Sequence, residues 1–213
     1  MSCQAKLLGA LAFVWALVAV PAGAATPDAD LSAVAASSDV QLALGAVLAA
    51  ADNQGRPFAI VDKLGARLFV FGADGRLIGA TAALLGLAPG DREQVVGKVD
   101  PARLAAAERI TPAGRFDSEP GHNLRGEPIV WLDYDNALAI HRLRSGVVRE
   151  RRAQRLASPS PADNRISLGC VVVPVAFYRE VVETTLGRQR GVVYVLPETA
   201  PVQSLFDAAL AAR

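Results

Sequence analysis

Short runs of β-branched and aromatic residues, separated by turn-forming clusters, are the strongest constraint on the fold of this chain. Runs of about four to eight such residues predict β-strands, because these side chains fit a pleated and partly buried surface. Ala73-Asp74-Gly75 lies between two of the runs, 67–71 and 76–78, and predicts a hairpin turn there. The predicted strands are residues 58–63, 67–71, 76–78, 129–134, 137–141, 170–173 and 191–196. We therefore expect a mainly β domain with a few helices, beginning as a β-meander.

Two segments have helical rather than strand periodicity. In residues 25–52, leucines and valines recur among alanines, which predicts one or two helices leading into the domain. After Pro174, residues Val175, Phe177, Val181 and Val182 are spaced as one buried face and predict a helix to about residue 186. Between the strands, residues 150–155 predict a solvated basic stretch and residues 158–161 an exposed loop.

The first 24 residues have the order of a secretory signal peptide. Lys6 precedes an apolar run of 14 residues, 7–20, and Ala22-Gly23-Ala24 supplies small residues for cleavage. The run is shorter than the roughly 20 residues that a membrane-spanning helix needs. We expect cleavage after Ala24, export to the periplasm and no stable membrane span, with an uncleaved anchor as the alternative. Cys3 would be removed with the signal.

Removal of residues 1–24 from the 213-residue chain leaves 189, which suits one domain with a substantial core. We predict a helical N-terminal segment at 25–55, the β domain at 56–198 and a C-terminal helix at 199–213. The loss of Lys6 leaves 21 basic and 21 acidic residues and a net charge of zero. This balance gives no electrostatic support for a nucleic-acid partner.

Cys170 is the single thiol left after signal removal, in a compartment where disulfides form readily. Such a thiol is either buried and inert or reactive. A neighbouring imidazole activates a thiol by taking its proton, and His122 and His141 are the only histidines. His141 ends one predicted strand and Cys170 begins another, so adjacent strands would bring the two together. The alternative for His141 is a packed histidine at a strand end.

Gly169 precedes Cys170 and allows a tight turn, in which backbone N–H groups can form an oxyanion hole. The N–H of Cys170 is the first candidate donor. Ser167 can hydrogen-bond the turn or a substrate. Arg165 and Arg115 could meet substrate carboxylates, with solvent exposure as the alternative for Arg115. Tyr134 could orient the site or simply finish a strand.

The segment 164–172, with Ser167-Leu168-Gly169-Cys170 at its centre, resembles the Ser-His-Gly-Cys-x-Asn signature of L,D-transpeptidases of the YkuD type. Three other segments resemble parts of the same domain in the same order. They are the first hairpin (58–62 and 67–71), the Thr-Pro-x-Gly-x-Phe segment (110–116) and the strand carrying the catalytic histidine (139–141). The resemblance extends from about Phe58 to Pro197.

This resemblance implies an L,D-transpeptidase-like β-sandwich or meander catalytic domain acting on peptidoglycan stem peptides. Cys170 would form a thioester with release of a terminal D-residue, with His141 as base and Gly169 and Ser167 as support. An amine on the wall or on a protein would then accept the acyl group. No metal or organic cofactor is implied.

The sequence departs from the family pattern at three positions. Leu168 replaces the histidine before Gly-Cys, Val172 replaces the asparagine after it, and Arg142 replaces the glycine after the base. The interval from His141 to Cys170 is also longer than usual, which predicts an inserted loop containing residues 149–155. The alternatives are an L,D-carboxypeptidase or a catalytically silent peptidoglycan-binding module. A thiol oxidoreductase is disfavoured, because no resolving cysteine or Cys-x-x-Cys pair exists.

Overall fold

Eight strands form one sheet, and two short strands form a separate pair beside it. The computed structural model describes residues 31, 34–92, 103–146 and 148–211, so the predicted signal peptide lies outside the described residues. The strands are β1 Phe58–Asp62, β2 Arg67–Phe71, β3 Leu77–Ala82, β4 Leu85–Gly86, β5 Gly114–His122, β6 Pro128–Asp133, β7 Leu138–Arg142, β8 Arg165–Ser167, β9 Val171–Val173 and β10 Gly191–Val195. The large sheet has the order β3-β2-β1-β10-β5-β6-β7-β9, and β4 pairs with β8. The predicted mainly β class and the opening meander are confirmed.

β5 is the strand that joins the two halves of the sheet, and it is absent from the strands predicted from sequence. Its first half pairs with β10 and its second half with β6, antiparallel in both cases. Among its nine residues, only Ser118 is buried. A strand with so little burial has no apolar alternation, so its sequence carries no strand signal.

Both faces of β1, β2 and β10 are buried, which explains why their sequences are continuous apolar runs. On one face, Phe58, Phe71 and Tyr194 pack against helix α1, which spans Ser38–Ala50. The hydroxyl of Ser37 accepts a hydrogen bond from the N–H of Val40 and caps the start of this helix. Helix α1 lies within the predicted helical lead-in.

The opposite face packs against the segment that follows Pro174. Here the structure has a short helix, Val175–Phe177, continued by a π-helical turn, Tyr178–Val182. The extra residue of a π-turn shifts the later side chains around the axis. The buried residues are consequently Tyr178, Val182 and Leu186, whereas Val175 is 36% exposed. The predicted start at Pro174 is confirmed, and the prediction that Val175 is buried is wrong.

The segment between β7 and β8, which we call the insertion, contains the residues 149–155 that the sequence predicts as an inserted loop. It contains a 3-10 turn at Val148–Glu150, helix α2 at Arg152–Leu156 and a second 3-10 turn at Pro161–Asn164. Leu156 is buried against Leu84 and Val172 at the sheet edge. The stretch predicted as solvated and basic, residues 150–155, is exposed or half-buried, and the packed residue Leu156 directly follows it.

A last helix spans Ser204–Ala211 within the predicted C-terminal segment. In the part of the chain that the structure describes, no helix has both the length and the apolar character required to cross a membrane.

Candidate active site

Two neighbouring parallel strands carry the predicted nucleophile and base. β9 runs parallel to β7, with Ile140 opposite Val171 and His141 opposite Val172. Paired residues of a sheet point to the same face, as do alternate residues along one strand. Cys170 is two residues before Val172 and just outside β9, so continuing the alternation one residue beyond the strand predicts the same face for Cys170 and His141. We therefore expect the two side chains on one side of this sheet edge.

The turn before Cys170 is held by hydrogen bonds from Ser167. The N–H of Gly169 donates to the Ser167 hydroxyl at 3.0 Å, and this hydroxyl donates to the carbonyl oxygen of Cys170 at 2.7 Å. Gly169 has φ 146°, a region that favours glycine over residues with a Cβ. Ser167 thus positions the backbone on both sides of the thiol-bearing residue.

Thr111 connects the same turn to the neighbouring backbone by hydrogen bonds that its sequence context does not predict. Its hydroxyl donates to the carbonyl oxygen of Gly169 at 2.8 Å and accepts from the N–H of Gly86, also at 2.8 Å. Its own carbonyl oxygen accepts from the Lys63 ammonium at 3.0 Å. The Thr-Pro pattern of residues 111–112 is the one sequence feature that singles out Thr111. This pattern does not identify Gly169, 58 positions away, as its hydrogen-bond partner.

The thiol and the imidazole each contact a backbone carbonyl, and no hydrogen bond joins them among the described residues. The Cys170 thiol donates to the carbonyl oxygen of Ala137 at 3.4 Å. His141 Nδ1 lies 2.8 Å from the carbonyl oxygen of Arg142. A carbonyl only accepts, so Nδ1 carries the proton and Nε2 keeps its lone pair. His141 is therefore held in the tautomer that can accept a proton at Nε2.

Both groups are neutral in this environment. Burial raises the pKa of the Cys170 thiol, against the opposing effects of the Ala139 N–H and the Arg144 charge. Burial lowers the pKa of His141 to about 4, and the charges of Arg144 and Arg152 favour the same direction, while the Arg142 carbonyl opposes it. A neutral thiol and a neutral imidazole suit proton transfer during attack rather than a preformed ion pair.

Arg142, at the position of the family glycine, points into a small ion-pair group. Glu127 accepts from Arg142 at 3.0 Å and lies 2.8 Å from Arg144 Nε. Neither cation was predicted as a site residue. Arg144 nevertheless acts electrostatically on both Cys170 and His141.

The two predicted substrate-binding residues lie in different places. Arg165 is paired with Glu198 and donates to the Lys63 carbonyl oxygen at 2.9 Å, so its guanidinium is already engaged. Tyr134 is 75% exposed and contacts Trp131 edge-on, with ring centroids 5.0 Å apart. Both aromatic rings line a cavity of about 400 Å³ that also includes Ala137, whose carbonyl holds the Cys170 thiol. Tyr134 thus shares a cavity with the residue whose carbonyl oxygen accepts from the Cys170 thiol, whereas Arg165 supports the fold.

Arg115 forms an ion pair within the fold rather than extending into solvent. Its guanidinium donates to Asp52 at 2.7 Å, and the buried Tyr194 hydroxyl donates to the same carboxylate at 2.6 Å. The solvent-exposed alternative for Arg115 is wrong.

Val172 is 1% exposed and exchanges two backbone hydrogen bonds with Leu84, under the side chain of Leu156. We expect Val172→Asn to lower the free energy of unfolding by about 1–3 kcal/mol, because it buries an amide in an apolar pocket. Leu168→His is the matched control, since Leu168 is only half-buried, and it should change stability much less. Urea denaturation of the two variants measures the difference. Equal losses would contradict the packing argument.

No protein-family model matches this chain, and no curated protein matches it. Solved structures give partial similarities. LD transpeptidase LdtMt1 in complex with imipenem is 12% identical with a TM-score of 0.40, over 66% of this chain and 58% of that one. The helical cell shape determining protein Pgp2 from Campylobacter jejuni is 15% identical with a TM-score of 0.45, over 74% and 56%. The chain thus spans less than two thirds of the length of these structures.

Proposed function

We propose that this chain is an exported thiol acyltransferase, an L,D-transpeptidase acting on peptidoglycan stem peptides in the periplasm. The observation that carries the proposal is the parallel β7–β9 register, from which we infer that Cys170 and His141 share one face. The tautomer of His141, set by the Arg142 carbonyl, supports its role as base. The sequence signature 167–170 and the predicted signal peptide at 1–24 agree with this assignment.

The reaction would begin with rotation of the Cys170 thiol from the Ala137 carbonyl toward His141. Sγ then bonds to the carbonyl carbon of the scissile amide as its proton passes to Nε2 of His141. The C–N bond breaks, and His141 returns the proton to the leaving amine of the terminal D-residue. The N–H of Cys170 is our candidate donor to the oxyanion.

The resulting thioester would be resolved by a second nucleophile. An amine on the wall or on a protein forms a new amide and regenerates the thiol, which is the transpeptidase outcome. Water gives a free carboxylate instead, which is the L,D-carboxypeptidase outcome.

A silent peptidoglycan-binding module is the second candidate. Two observations favour it. The Cys170 thiol is hydrogen-bonded to the Ala137 carbonyl oxygen rather than to His141, and burial raises the pKa of this thiol. In this reading the groove around Tyr134 holds a stem peptide without cleaving it.

Covalent modification of Cys170 distinguishes the two candidates. We expect the purified protein to gain one adduct mass with a carbapenem and an acyl mass with a tetrapeptide stem, because the thiol attacks both carbonyls. Peptide mapping should place both masses on Cys170. Cys170→Ala should form neither adduct, and Cys170→Ser, which keeps a hydroxyl of similar size, should form far less. Absence of any adduct on a folded wild-type protein that still binds sacculi would favour the binding module.

A further inference from the structure

The insertion lines an open cavity of about 690 Å³ that the proposed chemistry does not use. Four arginines line it: Arg144, Arg149, Arg151 and Arg152. Leu143, Val148 and Val175 contribute apolar surface to the same lining. The cavity therefore combines basic side chains with aliphatic ones.

Two of these four cations have no carboxylate partner in the described chain. Arg144 is paired with Glu127 at 2.8 Å and Arg152 with Glu150 at 2.7 Å. Arg149 and Arg151 are exposed and form no ion pair with a described residue, and Arg151 donates only to the amide of Gln154. The chain after residue 24 has equal numbers of basic and acidic residues, so this positive excess is local. An anion bound here would meet guanidinium groups that are still free to pair with it.

The cavity lies along the same strand direction as the candidate catalytic pair. Continuing the β7–β9 register by one residue sets Cys170 level with Ala139. The cavity lining includes Leu143, whose N–H donates to the Val173 carbonyl oxygen at 2.7 Å. The four residues of strand from Ala139 to Leu143 span about 13 Å, which is roughly the reach of an extended tetrapeptide. Leu143 also packs against the apolar cluster that contains Val172, two residues after Cys170.

We propose that this cavity binds the free carboxylates of an acidic peptide while its scissile bond lies at Cys170. The inference rests on the proposed function and specifies its substrate as a peptide with carboxylates distant from the cleaved bond. Planar guanidinium groups pair bidentately with carboxylates, and the walls formed by Leu143, Val148 and Val175 suit the aliphatic part of a peptide. A phosphodiester polymer would leave these three aliphatic side chains without a matching apolar group.

The test is binding to the Cys170→Ala protein, in which no turnover occurs. Calorimetry compares a tetrapeptide stem carrying free carboxylates with the same peptide amidated at those carboxylates. We expect the acidic peptide to bind about tenfold or more tightly, and R149Q/R151Q to abolish that preference. Arg188→Gln removes one exposed charge outside the cavity and should leave the preference intact.

Equal affinity for the two peptides, or an unchanged preference in R149Q/R151Q, would overturn the inference. Binding of a phosphodiester polymer in place of the peptide would overturn it in favour of a different ligand class. The proposed function has a separate readout in the thioester on wild-type Cys170. A thioester formed equally well from acidic and amidated peptides refutes the cavity alone. Arginine-dependent binding without any thioester refutes the catalysis alone.

Discussion

Replacing Lys63 with methionine should lower the free energy of unfolding by about 3–5 kcal/mol, the range for breaking one side of a buried ion pair. The Lys63 side chain is fully buried. Its ammonium donates to the Gly90 carbonyl oxygen and to Asp91 Oδ1, both at 2.6 Å, and lies 3.5 Å from Glu198 Oε1. Methionine fills similar volume but leaves the carboxylates without their shared cation. Urea denaturation followed by circular dichroism measures the loss.

A second substitution separates the charge effect from packing. Asp91→Asn in the Lys63→Met background removes one uncompensated charge and should recover part of the stability. Burial raises the pKa of Asp91, but hydrogen bonds from Lys63 and Thr199 lower it more, so it is held well below its ordinary value. A lowered folded pKa stabilises the protein above the unfolded value of about 3.8, and this contribution is lost as pH falls through the folded pKa. A full-sized loss that Asp91→Asn does not relieve would contradict the electrostatic explanation.

Replacing His141 with alanine should slow thioester formation by about 10²–10⁴-fold, the range for removing a general base. The pH profile gives a second, more specific expectation. With a pKa of about 4, His141 is in its base form above pH 4, so acylation should remain near its plateau at pH 5. A base with an ordinary pKa of about 6.5 would be about 30-fold less deprotonated at that pH.

Quenched mass spectrometry of acyl-enzyme between pH 4 and 8 measures both expectations. His122→Ala is the comparison variant, because His122 is the only other histidine and lies exposed at the end of β5. A larger loss with His122→Ala than with His141→Ala would reassign the base. A wild-type rate that falls steeply below pH 6.5 would contradict a neutral His141 at rest.

The parts of the fold that the sequence predicts are those whose side chains are buried. β1, β2 and β10 are apolar along their whole length because both of their faces are covered, and each appears in the structure within a residue of its predicted bounds. β5 is held by its two neighbouring strands rather than by burial of its own side chains, so local composition does not reveal it. The same reasoning applies to β4 and β8, which are only two and three residues long.

The candidate site divides in the same way. Cys170 and His141 could be selected as candidates from sequence because the chain has so few groups of that chemistry. Thr111 and Lys63 could not, since their contacts with Gly169 and Asp91 join positions 58 and 28 residues apart. The sequence predicts Arg165 as a substrate-binding residue because its ion-pair partner is 33 positions away. In the structure, Glu198 pairs with its guanidinium.

Both ends of the insertion are held by hydrogen bonds to the neighbouring backbone. At one end the Leu143 N–H donates to the Val173 carbonyl oxygen at 2.7 Å, and at the other the buried Asn164 amide donates to the Ala83 carbonyl oxygen at 3.2 Å. Closing a loop between fixed anchors costs little more as the loop lengthens. A change in the length of the intervening segment should therefore cost little stability while β7 and β9 keep their register.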